Sequence, residues 1–332
     1  MNNKIKRFDI VSKYKAWLTL PFVVIVIALI MFGVFAGVYK NAKQGIAIGV
    51  EFQGGTALTV KLSKEEVEGT KYQNNKANIE SIISNNRGQM NYLQVSGNDT
   101  LVFKYALPSN LNADQLKEIN DKIVGQIQDA YPTVYTSNPQ FVSAKYIGPT
   151  ASQKLINTAL ISILISTLLI LLYILIRFEV FSAIAAVIGL LVDVLHMFLM
   201  MIIFHVQINS TFIAAIITIV AYSINNTIVV FDRVRENYKL LDLSKYDDDY
   251  VVNISVRDTL VRSIATTATT LFSIVIFAIL GVSSIREFAL PVIFGLFSGL
   301  FTSVCLAPSI FVLMKKGYSK RHGNKVVGFK KK

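Results

Sequence analysis

Apolar residues run almost unbroken over Ala16–Tyr39, Ile156–Ile176, Val180–Phe204, Phe212–Phe231, Thr259–Leu280 and Phe288–Met314. Each stretch is close to the roughly 20 residues that carry a helix across a bilayer core. Residues 40–155 are polar and separate the first stretch from the other five, which follow one another closely. The pattern predicts an N-terminal segment 1–15, a first membrane helix 16–39, a domain 40–155, a five-helix bundle 156–314 with a loop 232–258, and a tail 315–332. The first apolar run exceeds the roughly 7–15 residues of a signal-peptide core, although "VFAG" at 34–37 imitates a cleavage site, so it reads as an uncleaved anchor.

The domain has a different periodicity. "TALTVKL" at 56–62 alternates like a half-buried strand, and "NKANIESIISNN" spaces its apolar residues as a helix does. "YLQVSGNDTLVFKYAL" reads as two strands about a "GND" turn, and "NADQLKEINDKIVGQIQDAY" as a helix capped by Asn112, with Pro132 just past its end. "QFVSAKYIG" closes the series. Strand, helix, strand, strand, helix, strand is the order of the ferredoxin-like split βαβ motif. The predicted class is an α-helical polytopic membrane protein with six transmembrane helices and an α+β ferredoxin-like extracytoplasmic domain between the first two. This domain has no histidine, no cysteine and no Gly-rich phosphate loop, so it reads as a binding or lever domain without catalytic residues.

Composition agrees with a membrane class: 53% of residues are hydrophobic and 16% charged. Basic residues crowd both termini, from Lys4 to Lys15 and from Lys315 to Lys332, which predicts that both ends are cytoplasmic. The net charge of +12 sits largely in these flanks, where anionic lipid rather than nucleic acid accounts for it. The single cysteine, Cys305, lies within the last span and excludes a disulfide framework. His196, His205 and His322 are scattered, leaving no metal cluster, no cofactor motif and no base for a membrane hydrolase. The acidic run "YDDDY" at 246–250 reads as a solvated loop.

Polar residues inside the spans are the candidate chemistry, because an unpaired polar group in hydrocarbon costs several kcal/mol. On the fourth span Thr211, Thr218, Tyr222, Asn225 and Asn226 share an arc of about 100°. The fifth brings Arg262, Thr266, Thr269 and Ser273 to one face, and the third brings Asp193 with Gly189 and Ala186 beside it. These stripes are expected to converge at the bundle centre. Asp193 is a candidate ion-coupling carboxylate, or else a register-fixing partner of Arg262 or an amide. His196, about one turn away, is either a proton relay or a satisfied helix contact.

Several segments then resemble the SecF family, partners of SecD in bacterial protein export. "GVEFQGGTAL" at 49–58 resembles the signature that follows the family's first span; here Glu51, Gly54 and Gly55 carry it. "YSINNTIVVFDRVREN", with Asp232 and Arg233, resembles the fourth-span motif almost residue for residue. "RSIATTATTL" at 262–271, "LVDVLH" around Asp193 and "REFALPVIFGLFSGLFTS" match further stretches, from Phe8 to about Lys315.

The resemblance implies a resistance-nodulation-division fold, a SecD-like partner, the SecYEG channel, and late-stage preprotein export driven by proton or sodium motive force. It also places the family's intramembrane aspartate at Asn226, an amide that does not titrate near neutral pH. Three readings follow: the ion path runs through a SecD-like chain, Asp193 has taken over beside Arg262, or coupling is lost. The alternative function is a small-molecule or lipid exporter of the same superfamily, which would need a second half.

Overall fold

The computed structural model describes residues 9–38, 45–62, 69–96, 100–108, 111–132, 134, 138, 140–242, 245–281 and 283–321. Helix α1, Tyr14–Val38, follows a single 3-10 turn, Val11–Lys13. The domain that follows runs β1 (Gly55–Lys61), α2 (Gly69–Asn85), β2 (Gln89–Ser96), β3 (Thr100–Ala106), α3 (Ala113–Ala130) and β4 (Val142–Ile147). The bundle comprises α4 (Pro149–Arg177), α5 (Val180–Ile203), α6 (Ser210–Leu240), α7 (Asp248–Leu280), α8 (Ser283–Phe301) and α9 (Ala307–Arg321), with a π turn at Thr302–Leu306 joining the last two. Six helical stretches among the described residues are long and apolar enough to cross a membrane.

The sheet order is β2-β3-β1-β4, all antiparallel, with Leu58 opposite Phe103 and Ala144. This is the ferredoxin-like arrangement the alternation predicted. The tip of the expected "GND" turn, 97–99, lies outside the described residues. Alternation along β3 turns Leu101, Phe103 and Tyr105 toward the core formed with Ile79, Ile83, Ile123 and Ile127, whereas Val102 and Lys104 face the other side. Asn112 caps α3 in a complete capping box with Gln115. Inside the core, Thr56 Oγ1 and Tyr105 OH both donate to Asn120 Oδ1, at 2.8 and 2.7 Å. Burial pushes the Tyr105 phenol well above its usual range.

Two helices run longer than their apolar cores. The fourth span, expected at Phe212–Phe231, is helical over Ser210–Leu240, and the fifth, expected from Thr259, starts at Asp248. Hydropathy ends where lipid ends, whereas a helix continues as long as its backbone and side chains are satisfied. Here Asp247 caps α7 and Arg233 bridges Asp258 at 2.7 Å and Glu236 at 2.8 Å, so most of the expected loop 232–258 is helix. The last span likewise begins at Ser283 and passes through the π turn to Arg321.

The signature segment explains how the chain passes from α1 into the sheet. Gly49 N–H donates to Ile208 O and Ile208 N–H to Ala47 O, both at 2.7 Å, so this strip pairs with the α5–α6 connection. One helical turn, Val50–Gln53, follows, with Glu51 Oε2 buried and without a hydrogen-bond partner among the described residues. Gly54 (φ +75°) and Gly55 (φ +150°) then turn into β1, and a Cβ on Gly55 would stand 2.5 Å from Tyr105 O. Gly55→Ala is therefore expected to cost about 1–3 kcal/mol, read as a lowered thermal midpoint of the purified protein in detergent. An unchanged midpoint would show that the turn tolerates a side chain.

Candidate functional site

The polar centre of the bundle is built around Asp193, which is fully buried. Its carboxylate accepts four hydrogen bonds from three hydroxyls. Ser223 of α6 donates to Oδ2, Ser298 of α8 donates to Oδ1 at 2.7 Å, and Thr302 reaches both oxygens at 2.8 and 3.0 Å. Thr302 is the first residue of the π turn, a local irregularity often found at functional positions. His196 Nδ1 lies 2.9 Å from Ser298 Oγ, which makes a short chain His196–Ser298–Asp193. His196 Nε2 is buried with no partner among the described residues.

Close helix approach makes this possible. A Cβ on Gly295 would collide with Ile219 at 2.4 Å, so α8 and α6 touch backbone to side chain one turn before Ser298. A Cβ on Gly299 would likewise stand 3.1 Å from Ser223, and one on Gly189 of α5 would stand 3.7 Å from Thr302.

The other predicted residues divide into two groups. Asn226 is buried, and its Nδ2 donates to Thr267 Oγ1 of α7 at 3.4 Å; Tyr222 OH reaches the same oxygen at 3.5 Å. These two hold α6 to α7. Asn225 of α6 instead lies exposed, as do Arg262, Thr266, Thr269 and Ser273 along one face of α7. The threonine and serine hydroxyls bond to carbonyls of their own helix, such as Thr266 to Arg262 O at 2.9 Å. The side chains of Asn225 and Arg262 make no hydrogen bond or ion pair among the described residues.

The stripes of the third, fourth and fifth spans therefore do not meet at one centre. Asp193 turns inward to hydroxyls, Arg262 turns outward, and the two form no ion pair. Periodicity identified a polar face on α7 but not which neighbour covers it. Of the signature pair after the fourth span, Asp232 is exposed and Arg233 makes the α6–α7 bridges given above.

Ser223, Ser298 and Thr302 were missed by sequence reasoning, because a lone serine or threonine in a span carries no charge signal. The available cue was the small-residue spacing in "GLFSGLFTS".

Each end of the bundle also carries a polar group. Next to the sheet domain, Lys104 Nζ donates to Gln207 Oε1 at 2.5 Å and to Glu287 Oε1 at 3.2 Å, and Asn209 Nδ2 donates to Glu287 Oε2. At the opposite end Asn253 Oδ1 accepts from Ile10 and Val11 N–H at 2.9 and 3.2 Å, seating the start of α1. Nearby, Lys315 bonds Asp248 at 3.0 Å and lies 3.7 Å over the Tyr238 ring. Burial pushes the Glu179 carboxyl above its usual range; Asp248 pushes the same way and Lys315 opposes them.

A six-span bundle with a ferredoxin-like domain after the first span and buried polar residues at its core defines a class of membrane subunits, and comparison with known proteins places the chain within it. Residues 126–317 match the family model "Protein export membrane protein SecD/SecF, C-terminal". The chain belongs to the SecD/SecF protein-export family. It is 30% identical to the protein translocase subunit SecF of Rhodothermus marinus over 82% of this chain and 84% of that protein. It is also 30% identical to the protein translocase subunit SecDF of Bacillus subtilis, over 93% of this chain but 38% of that protein. The crystal structure of SecDF from Thermus thermophilus, described as a translocon-associated membrane protein, matches with TM-score 0.65 and 25% identity over 90% of this chain and 38% of that one. The chain thus corresponds to well under half of the fused SecDF proteins and to most of the separate SecF.

Thr302→Val keeps the shape of the side chain and removes two of the hydrogen bonds to Asp193. It is expected to destabilise the protein by about 1–3 kcal/mol in detergent unfolding, with Thr302→Ser largely spared. Equal loss in both variants would mean that packing, not the hydroxyl, matters at this position.

Proposed function

We propose that the chain is an accessory subunit of the Sec protein translocase that works beside a SecD-like partner. In this reading it assists late-stage export of preprotein at the SecYEG channel, using ion-motive force. It sits in the bacterial cell membrane as a multi-pass protein with both basic termini in the cytoplasm, the sheet domain outside and lipid around the apolar helices.

The observation that carries the reading is the open polar side of α6 and α7. The Asn225 amide and the Arg262 guanidinium have no partner among the described residues, and lipid covers such groups poorly. A second protein surface covers them well. In the fused relatives, more than half the chain lies beyond the part matched here, which is room for that partner. The exporter alternative is disfavoured: the relatives named above are translocase subunits.

The same geometry supports the first of the three readings of the ion path. Asn226 offers no titrating group, and Asp193 is enclosed by hydroxyls away from Arg262. In this reading the ion path runs at the partner interface, with Arg262 contributed by this chain and the titrating carboxylate by the SecD-like chain. Asp193 then serves to hold α5, α6 and α8 in register.

Two results are expected. Thr269→Trp, which puts a large side chain on the open face, should lose the SecD-like chain in pull-downs from native membrane; retention would argue against docking there. In an export assay with the motive force varied, Arg262→Ala should remove the force-dependent part. Asp193→Asn, corrected for abundance, should keep it. Loss with Asp193→Asn alone would move the ion path to Asp193.

A further inference from the structure

A charged side chain of β3 ties the sheet domain to the bundle. Lys104 is only 5% exposed, although it lies on the sheet face away from the domain's own core. Its ammonium bonds Gln207 on the α5–α6 connection and Glu287 on the first turns of α8. The other Glu287 oxygen accepts from Asn209, whose own Oδ1 caps α6 through Thr211 and Phe212 N–H at 3.1 and 3.2 Å. One carboxylate thus joins the near ends of α6 and α8, and one lysine joins that pair to β3.

These are the two helices that supply hydroxyls to Asp193. Ser298 lies eleven residues beyond Glu287, a spacing that returns to nearly the same helix face about 16 Å further along. Ser223 lies fourteen residues beyond Asn209, again within about 40° of the same face. Helices α6 and α8 are therefore tied together twice, at mid-membrane through Asp193 and at the domain end through Glu287, with the Gly295–Ile219 contact between. The pair is thus bonded at two levels, with Pro291 of α8 between them. The same α6 carries the open face at Asn225, so movement there reaches the domain through the pair.

We infer that Lys104, held by Glu287 and Gln207, is the positioning residue through which the α6–α8 pair moves the sheet domain. The Ile48–Ile208 bridge, the packing of the Val50–Gln53 turn on α4 and the one-residue link Gly148 between β4 and α4 also join the two parts. Lys104 fixes the sheet face itself. A buried lysine that loses its carboxylate, or the reverse, leaves an uncompensated charge, so the connection holds only while both are present. The inference rests on the proposed coupling of this subunit to ion-motive force.

The test combines a distance with an export assay on the full chain and its partner. Spin labels on exposed Lys117 of α3 and exposed Ile279 of α7 are expected to give one narrow distance distribution. Lys104→Met and Glu287→Gln should broaden or shift it, and Lys104→Arg, which keeps the charge, should restore it. In membranes, the same Met and Gln variants should lose the force-dependent part of export while keeping the force-independent part and normal abundance. An unchanged distance distribution in Lys104→Met overturns the connection itself. A changed distribution with force-dependent export intact overturns its role in transmission. If the unsubstituted protein shows no force dependence, the functional reading fails and the transmission role with it, whatever the distances show.

Discussion

A carboxylate placed at mid-membrane must find hydrogen-bond donors inside the protein, because hydrocarbon offers none. Asp193 finds three, and they come from two other helices. That requirement fixes the rotation of α5, α6 and α8 about their axes far more tightly than apolar packing does, since Leu and lipid are nearly equivalent neighbours for one another. Small residues at the contact let the helices come close enough for short hydroxyls to reach. With those three helices fixed, the places left for α7 and for the sheet domain follow: α7 on the Asn226 side, and the domain over the ends of α6 and α8.

The arrangement leaves a deliberate asymmetry. The Asp193 carboxylate is enclosed and hydrogen-bonded, whereas Asn225 and Arg262 are exposed in a region where exposed polarity is costly. A subunit with one sealed side and one open polar side is incomplete by itself. That property agrees with membership of a family whose members occur both as separate SecF and as fused SecDF chains. The amide at Asn226 fits it as well: it donates to Thr267 and holds α7 to α6 without carrying charge.

Much of this was legible in the chain itself. Apolar runs located all six spans, and period-two alternation with Asn112 as a cap gave the strand and helix order of the domain. Helix ends were less legible: charged residues from Asp232 to Asp258 looked like a loop, yet Arg233, Asp258 and the Asp247 cap keep that stretch helical outside the apolar zone. The polar centre was half legible. Asp193 stood out because a carboxylate in a span is rare, but its serine and threonine partners did not, since hydroxyls bond their own helix as readily as a neighbour. Arg262 was read as part of a polar face on its helix, and only coordinates could tell that it does not meet Asp193. Lys104 carried no sequence signal at all, because an alternating strand reads a lysine as solvent-facing.

The most direct measurement is a structure of this chain in complex with its SecD-like partner in a lipid environment. The account predicts that the partner covers Asn225, Arg262, Thr266, Thr269 and Ser273, with a carboxylate of its own facing Arg262, while Asp193 stays bonded to Ser223, Ser298 and Thr302. A complex in which that side contacts lipid, or in which Asp193 has left its hydroxyls to pair with Arg262, would contradict it.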